Sequence, residues 1–193
     1  LLAVRKNKDE ITMAEIDEAH DRVLMGPAKV SRQISEEDKK ITAYHEAGHV
    51  VVGLKLEKSN IVQKVTIIPR GMAGGYTNIQ NDEEKMHTTK KELVQTISTL
   101  LAGRVTEQYV FDDITTGASN DIERATKIAR AMVCEYGMSE LGPVQLEQSE
   151  SSVFLGRDYN KTRNFSDQVA FEIDQQIRKI IDECYKEAEK VVR

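Results

Sequence analysis

The chain has 193 residues, 39% hydrophobic and 31% charged, enough for one ordinary domain with at most a short neighbour and too apolar for a disordered polymer. Asp and Glu number 32 against 27 for Lys and Arg, a formal net charge of -5, which argues against nucleic acid as a partner. Two cysteines with no CxxC pair support neither a disulfide framework nor a thiolate zinc site, and no apolar run approaches the roughly 20 residues that span a bilayer.

The chain opens at Leu1 in a stretch of helical character, which reads as a piece excised from a longer polypeptide. Thr12 and Glu15 form a capping-box pattern ahead of Ile16, Ala19, Val23 and Leu24, and Gly26-Pro27 closes that helix. Ser35 followed by Glu36, Glu37 and Asp38 starts a second helix, on which Ile41, Tyr44, His45, Gly48, His49, Val52 and Leu56 share one face. Val62 to Pro69 reads as a strand, 70–75 as a glycine-rich turn and Tyr76 to Ile79 as a second strand.

Helical periodicity returns from Thr88 to Phe111, with Leu93, Val94, Ile97, Leu100, Leu101 and Val105 inward, and again from Asp121 to Tyr136, ended by Gly137. Residues 142–164 are polar and irregular. Ser166 then caps a helix running to the end of the chain, so the C-terminus also reads as truncated. The expected architecture is mainly α (α+β), with a small β element.

His45-Glu46-Ala47-Gly48-His49 is an HExxH pentapeptide on the second helix. Spacing of i and i+4 puts both imidazoles one turn apart on one face, able to grip a single Zn²⁺. Glu46 is close enough to act as base toward a zinc-bound water. Catalytic zinc takes three protein ligands, and a third His is not supplied nearby, since the positions a metzincin extension would use hold Val52 and Lys55. Two carboxylates on helices remain. Asp121 shares a face with Ala125, Ile128, Met132 and Tyr136; Glu107 stands at the margin of its helix's apolar stripe and could instead orient an imidazole. Periodicity alone leaves Asp121 open between a ligand and a carboxylate serving its helix dipole.

Together with HEAGH, the segments Ile68-Pro69-Arg70-Gly71, Gly75-Tyr76-Thr77, Gly103-Arg104 with Glu107, Thr116-Gly117-Ala118-Ser119-Asn120-Asp121, Ala129-Arg130-Ala131-Met132-Val133, Gly137-Met138-Ser139 and Phe154-Leu155-Gly156-Arg157-Asp158 resemble the peptidase domain of the FtsH family of membrane-anchored, ATP-dependent zinc metalloproteases. The resemblance covers nearly the whole chain, with departures at Ala102, Thr106, Gln108 and Gln80-Asn81.

It implies a helical zincin-type peptidase over 28–193, truncated at its C-terminus, preceded over 1–27 by the tail of an ATPase lid. By position it makes His45, His49 and Asp121 the ligands of one zinc per chain and Glu46 the catalytic base, which leaves Glu107 the role of a partner that orients a ligand histidine. We read Gly74, Gly75, Tyr76 and Thr77 as a sheet edge that pairs with extended substrate. The resemblance further implies unfolded or membrane-protein substrates, a homo-hexamer, and membrane anchoring with the peptidase on the cytoplasmic side. ATP would belong to a missing ATPase domain, as no GxxxxGK[ST] occurs in this chain.

Overall fold

The computed structural model describes residues 1–29, 33–57, 60–71, 73–81, 86–147 and 165–193. In chain order they form α1 (Leu2–Arg5), α2 (Met13–Met25), α3 (Glu36–Leu56), β1 (Asn60–Thr66), β2 (Tyr76–Asn81), α4 (Lys90–Phe111), a 3-10 turn (Thr116–Ala118), α5 (Ser119–Cys134) and α6 (Asp167–Val192). The mainly helical architecture with a small β element is the expected one. Among the described residues no helix is long and apolar enough to cross a membrane.

Local chemistry starts the helices where the sequence signals it. Thr12 and Glu15 complete a reciprocal capping box at α2, and Thr89 and Glu92 complete another at α4. The Ser35 and Ser166 hydroxyls accept from the Asp38 and Val169 amides and satisfy first-turn donors of α3 and α6.

Helix α4 is the central element, packed against α3, α5 and α6. Ile97, Leu100 and Leu101 of α4 meet Ala125, Ala129, Met132 and Val133 of α5, and Ile173, Ile177 and Ile180 of α6. A fully buried Ile, Leu, Val or Met side chain contributes about 1.5–3 kcal/mol relative to exposure. A smaller cluster of Val52, Ala102, Val105 and Ala188 ties α3 to α4 and α6, so the α3–α4 contact that carries the histidines is clamped by apolar packing.

Strands β1 and β2 form a two-stranded antiparallel ladder running from Asn60 opposite Asn81 to Thr66 opposite Tyr76, with an irregularity between Val62 and Lys64. The first strand thus spans 60–66 rather than 62–69. It ends where the Ile68 amide turns to the Thr66 hydroxyl and Arg70 and Ala73 close a tight loop through paired backbone hydrogen bonds. Gly74 and Gly75 lie in the bend before β2 rather than on the strand.

Helix α5 begins at Ser119, two residues before the expected start, because the 3-10 turn runs directly into it. It ends at Cys134, and Tyr136 is 54% exposed, outside the buried face assigned to it. Exposed Tyr44 likewise departs from the buried face expected of α3. The segment Phe154 to Asp158 and most of the polar stretch 142–164 lie outside the described residues.

Candidate metal centre

Helix α3 presents His45 and His49 one turn apart, with ring centroids 4.8 Å apart and planes at 77°. Asp121, in the first turn of α5, brings Oδ2 to 3.3 Å from His45 Nε2 and 3.5 Å from His49 Nε2. The three side chains come from positions 72 and 76 residues apart (121 - 49 and 121 - 45), so the cluster exists only once α3 and α5 have packed on α4. Their ligand atoms all lie within 4.8 Å of one another, and among the described residues this is the group of three or more His, Cys, Asp or Glu arranged to hold a metal ion.

The remaining ring nitrogens fix which atoms face inward. His49 Nδ1 lies 2.7 Å from the Thr99 carbonyl, which can only accept, so Nδ1 carries the proton and Nε2 of the neutral ring offers its lone pair. His45 Nδ1 lies 2.6 Å from Glu107 Oε1, and the same reasoning turns its Nε2 toward Asp121. Two bare nitrogens and a carboxylate converging on one point are the donor set of a borderline-soft cation such as zinc.

Between these same atoms a proton competes with a metal. Burial pushes the Asp121 carboxyl up, but hydrogen bonding to His45 and His49 overrides it and holds the group well below the usual carboxylate range. Burial likewise opposes charge on His45, yet Asp121 and Glu107 outweigh it and raise the imidazole above its ordinary value. Burial raises the Glu46 carboxyl, against the hydrogen bond it accepts from Thr77.

Glu107 sits deeper than the sequence suggests. Far from the margin of α4, it is 1% exposed, and its two oxygens are both used, Oε1 toward His45 and Oε2 accepting the Thr115 amide at 2.8 Å. Gly74, Gly75, Tyr76 and Thr77 line the same cleft as the histidines and Asp121, a groove of about 1370 Å³ whose lining also includes Gln95 and Leu24. Strand β2 pairs with β1 along one edge and has no second strand partner among the described residues.

Sequence reasoning missed three participants. Thr99 acts through its main-chain carbonyl and Thr115 through its amide, neither of which a side-chain motif reveals. Arg70, 7% exposed, joins the loop before β2 to α2, with Nη2 at 2.7 Å from Glu18 Oε2 and 3.2 Å from Asp21 Oδ2. Its signals were a charge at the end of an apolar run, Ile67-Ile68-Pro69-Arg70, and its place in one of the segments that carry the resemblance, neither of which names Glu18 or Asp21 as partners.

The model of peptidase family M41 matches residues 32–193. The chain is 58% identical over 192 residues to the ATP-dependent zinc metalloprotease FtsH of Acholeplasma laidlawii (strain PG-8A), covering 100% of this chain and 30% of that protein. It is 54% identical over 194 residues to the protein of the same name from Bacillus subtilis (strain 168), again 100% of this chain and 30% of the relative. The chain therefore spans about 30% of the length of these curated relatives.

Proposed function

This chain belongs to peptidase family M41, and on that premise we propose that it is a zinc-dependent endopeptidase unit in which His45, His49 and Asp121 hold the metal and Glu46 is the catalytic base. The observation that carries the reading is the convergence of His45 Nε2, His49 Nε2 and Asp121 Oδ2 beside a 6% exposed carboxylate one residue along the same helix. When bound, zinc supplies Lewis acidity toward the reacting oxygen atoms.

The chain's own residues supply the rest. Glu46 takes a proton from the attacking water as its oxygen adds to the scissile carbonyl, then returns that proton to the amine nitrogen as the C–N bond breaks. A buried carboxylate whose proton affinity is raised is suited to both halves of that cycle. Glu107 and the Thr99 carbonyl hold the two imidazoles in the orientation the metal requires. Gly74, Gly75, Tyr76 and Thr77 line the cleft, and the edge of β2 away from β1 receives an extended substrate backbone.

A substrate must be extended to pair with such an edge, so the class is unfolded polypeptide, including chains drawn from membranes. The relatives' names carry ATP-dependence. We assign the motor to the part of their length that this chain does not span, residues 1–27 to the tail of that motor's lid, and the hexamer and membrane anchor to the whole protein.

The test compares zinc content and casein hydrolysis of wild type and Glu46→Gln. Zinc should be retained while hydrolysis falls about 100-fold or more. Near-normal turnover in the variant would remove Glu46 from its role, and a wild-type protein that does not bind zinc would overturn the reading altogether.

A further inference from the structure

Glu46 is gripped by the strand that lines the cleft. Its Oε2 accepts a hydrogen bond of 2.5 Å from the Thr77 hydroxyl of β2, and its main-chain carbonyl lies 3.4 Å from the same oxygen. On the other side of the carboxylate the chain passes so closely at Gly75 that a Cβ there would stand 2.7 Å from Oε1, 2.7 Å from Thr42 Cγ2 and 2.9 Å from the Thr66 carbonyl. Both oxygens are thus bounded by one short segment, 75–77, while the backbone of Glu46 belongs to α3.

A glutamate has three side-chain torsions, and immobilising such a side chain costs conformational entropy. A short hydroxyl-to-carboxylate bond is among the stronger hydrogen bonds available to offset that cost. Among the described residues Thr77 is the donor to this carboxylate, and a hydroxyl has only one proton to give. Donated to Oε2, that proton leaves Oε1 as the oxygen free to exchange a proton with the reacting groups. The absence of a side chain at Gly75 keeps that oxygen from being crowded out.

We propose that Thr77 is a positioning residue for the base: its hydroxyl fixes the Glu46 carboxylate, so the same strand that receives the substrate backbone also sets the group that activates water against it. The inference rests on Glu46 being the base. It assigns the Thr77 backbone and side chain different jobs, one felt in substrate binding and the other in turnover.

The test uses the zinc-loaded chain and a fluorogenic peptide, with kcat, KM and zinc content measured for wild type, Thr77→Val, Thr77→Ser and Glu46→Gln. Valine keeps the branched shape and the strand backbone but has no donor. It should lower kcat about 10-fold or more, with KM within about twofold and zinc content unchanged, since small displacements of a reacting group cost factors of this size. Serine keeps the donor and should retain kcat within about threefold. If valine does not yield folded, zinc-loaded protein, Thr77→Ala is held to the same expectation.

Wild-type kcat in the donor-free variant would overturn the inference, as would a rise in KM alone, or serine as impaired as valine. Activity in Glu46→Gln equal to wild type would instead sink the role of Glu46, and the inference with it; loss in Glu46→Gln without loss in Thr77→Val sinks the inference alone.

Discussion

Glu107 Oε1 lies 2.6 Å from His45 Nδ1 while its other oxygen accepts the Thr115 amide, so one buried carboxylate holds both a histidine of α3 and the turn that delivers Asp121. Its oxygens are occupied away from the centre. Asp121 instead turns Oδ2 toward both Nε2 atoms. Asp121→Asn should therefore lose zinc and proteolysis together, whereas Glu107→Gln should keep zinc at saturating metal and cost about 10- to 100-fold in affinity or activity. Metal titration of the two variants decides. Full zinc occupancy in Asp121→Asn with an empty Glu107→Gln would exchange the roles.

Two glycines at the α3–α4 contact should respond to alanine in opposite ways. A Cβ at Gly48 would stand 2.8 Å from the Ala102 carbonyl and 2.2 Å from Thr106 Oγ1, and backbone cannot step aside without parting the helices. Overpacking of this kind costs about 1–3 kcal/mol, more than the roughly 1 kcal/mol alanine gains in helix propensity. The three atoms nearest a Cβ at Gly103 all belong to the His45 ring, with Cε1 and Nε2 at 2.4 Å. That ring can swing away. Gly48→Ala should thus lower the thermal midpoint, while Gly103→Ala should stay folded but bind zinc poorly. Paired melting curves and zinc analysis check this, and a Gly103→Ala protein with full zinc would contradict it.

The helical framework was legible because caps and periodicity are local. Thr12 with Glu15, Ser35 and Ser166 announce helix starts, and the HExxH spacing places two histidines on one face whatever surrounds them. What was misread depends on partners distant in the chain. Ile67 and Ile68 have strand propensity, yet the ladder stops at Thr66 because Arg70 turns back to pair with Ala73 and with Glu18, 52 residues earlier. A carboxylate that interrupts the apolar pattern, as Glu107 does, reads as a helix margin. Its depth depends on donors from His45 and Thr115, which periodicity cannot register.

If the open edge of β2 receives substrate, main-chain hydrogen bonds should be readable from the substrate side. N-methylation removes one N–H without disturbing the enzyme. Scanning it along a cleavable peptide should raise KM about 2- to 10-fold per bond lost, the worth of a single net hydrogen bond. The penalties should fall at alternate residues, as a strand edge offers its groups with period two. A uniform or absent penalty would count against strand pairing.

The link between α2 and the loop ahead of β2 should be pH-sensitive. Glu18 bonds Arg70 Nη2 at 2.7 Å and Arg22 Nε at 2.7 Å, and these guanidinium groups, Arg70 foremost, lower its carboxyl from 4.5 to about 2. A carboxyl depressed in the folded state contributes stability that is fully present above its unfolded pKa of about 4.5 and lost as pH falls toward about 2. Because Glu18 is partly exposed, solvent screens the pair, and the contribution is on the order of 1 kcal/mol, or about 2–4 °C in thermal midpoint for a chain of this length. Glu18→Gln should melt lower than wild type by about that much near neutral pH, and the two curves should converge as pH falls below about 4.5. Measured from neutral pH down to about pH 3, a gap that stays constant or widens would show that the Glu18 charge does not secure α2 against the loop.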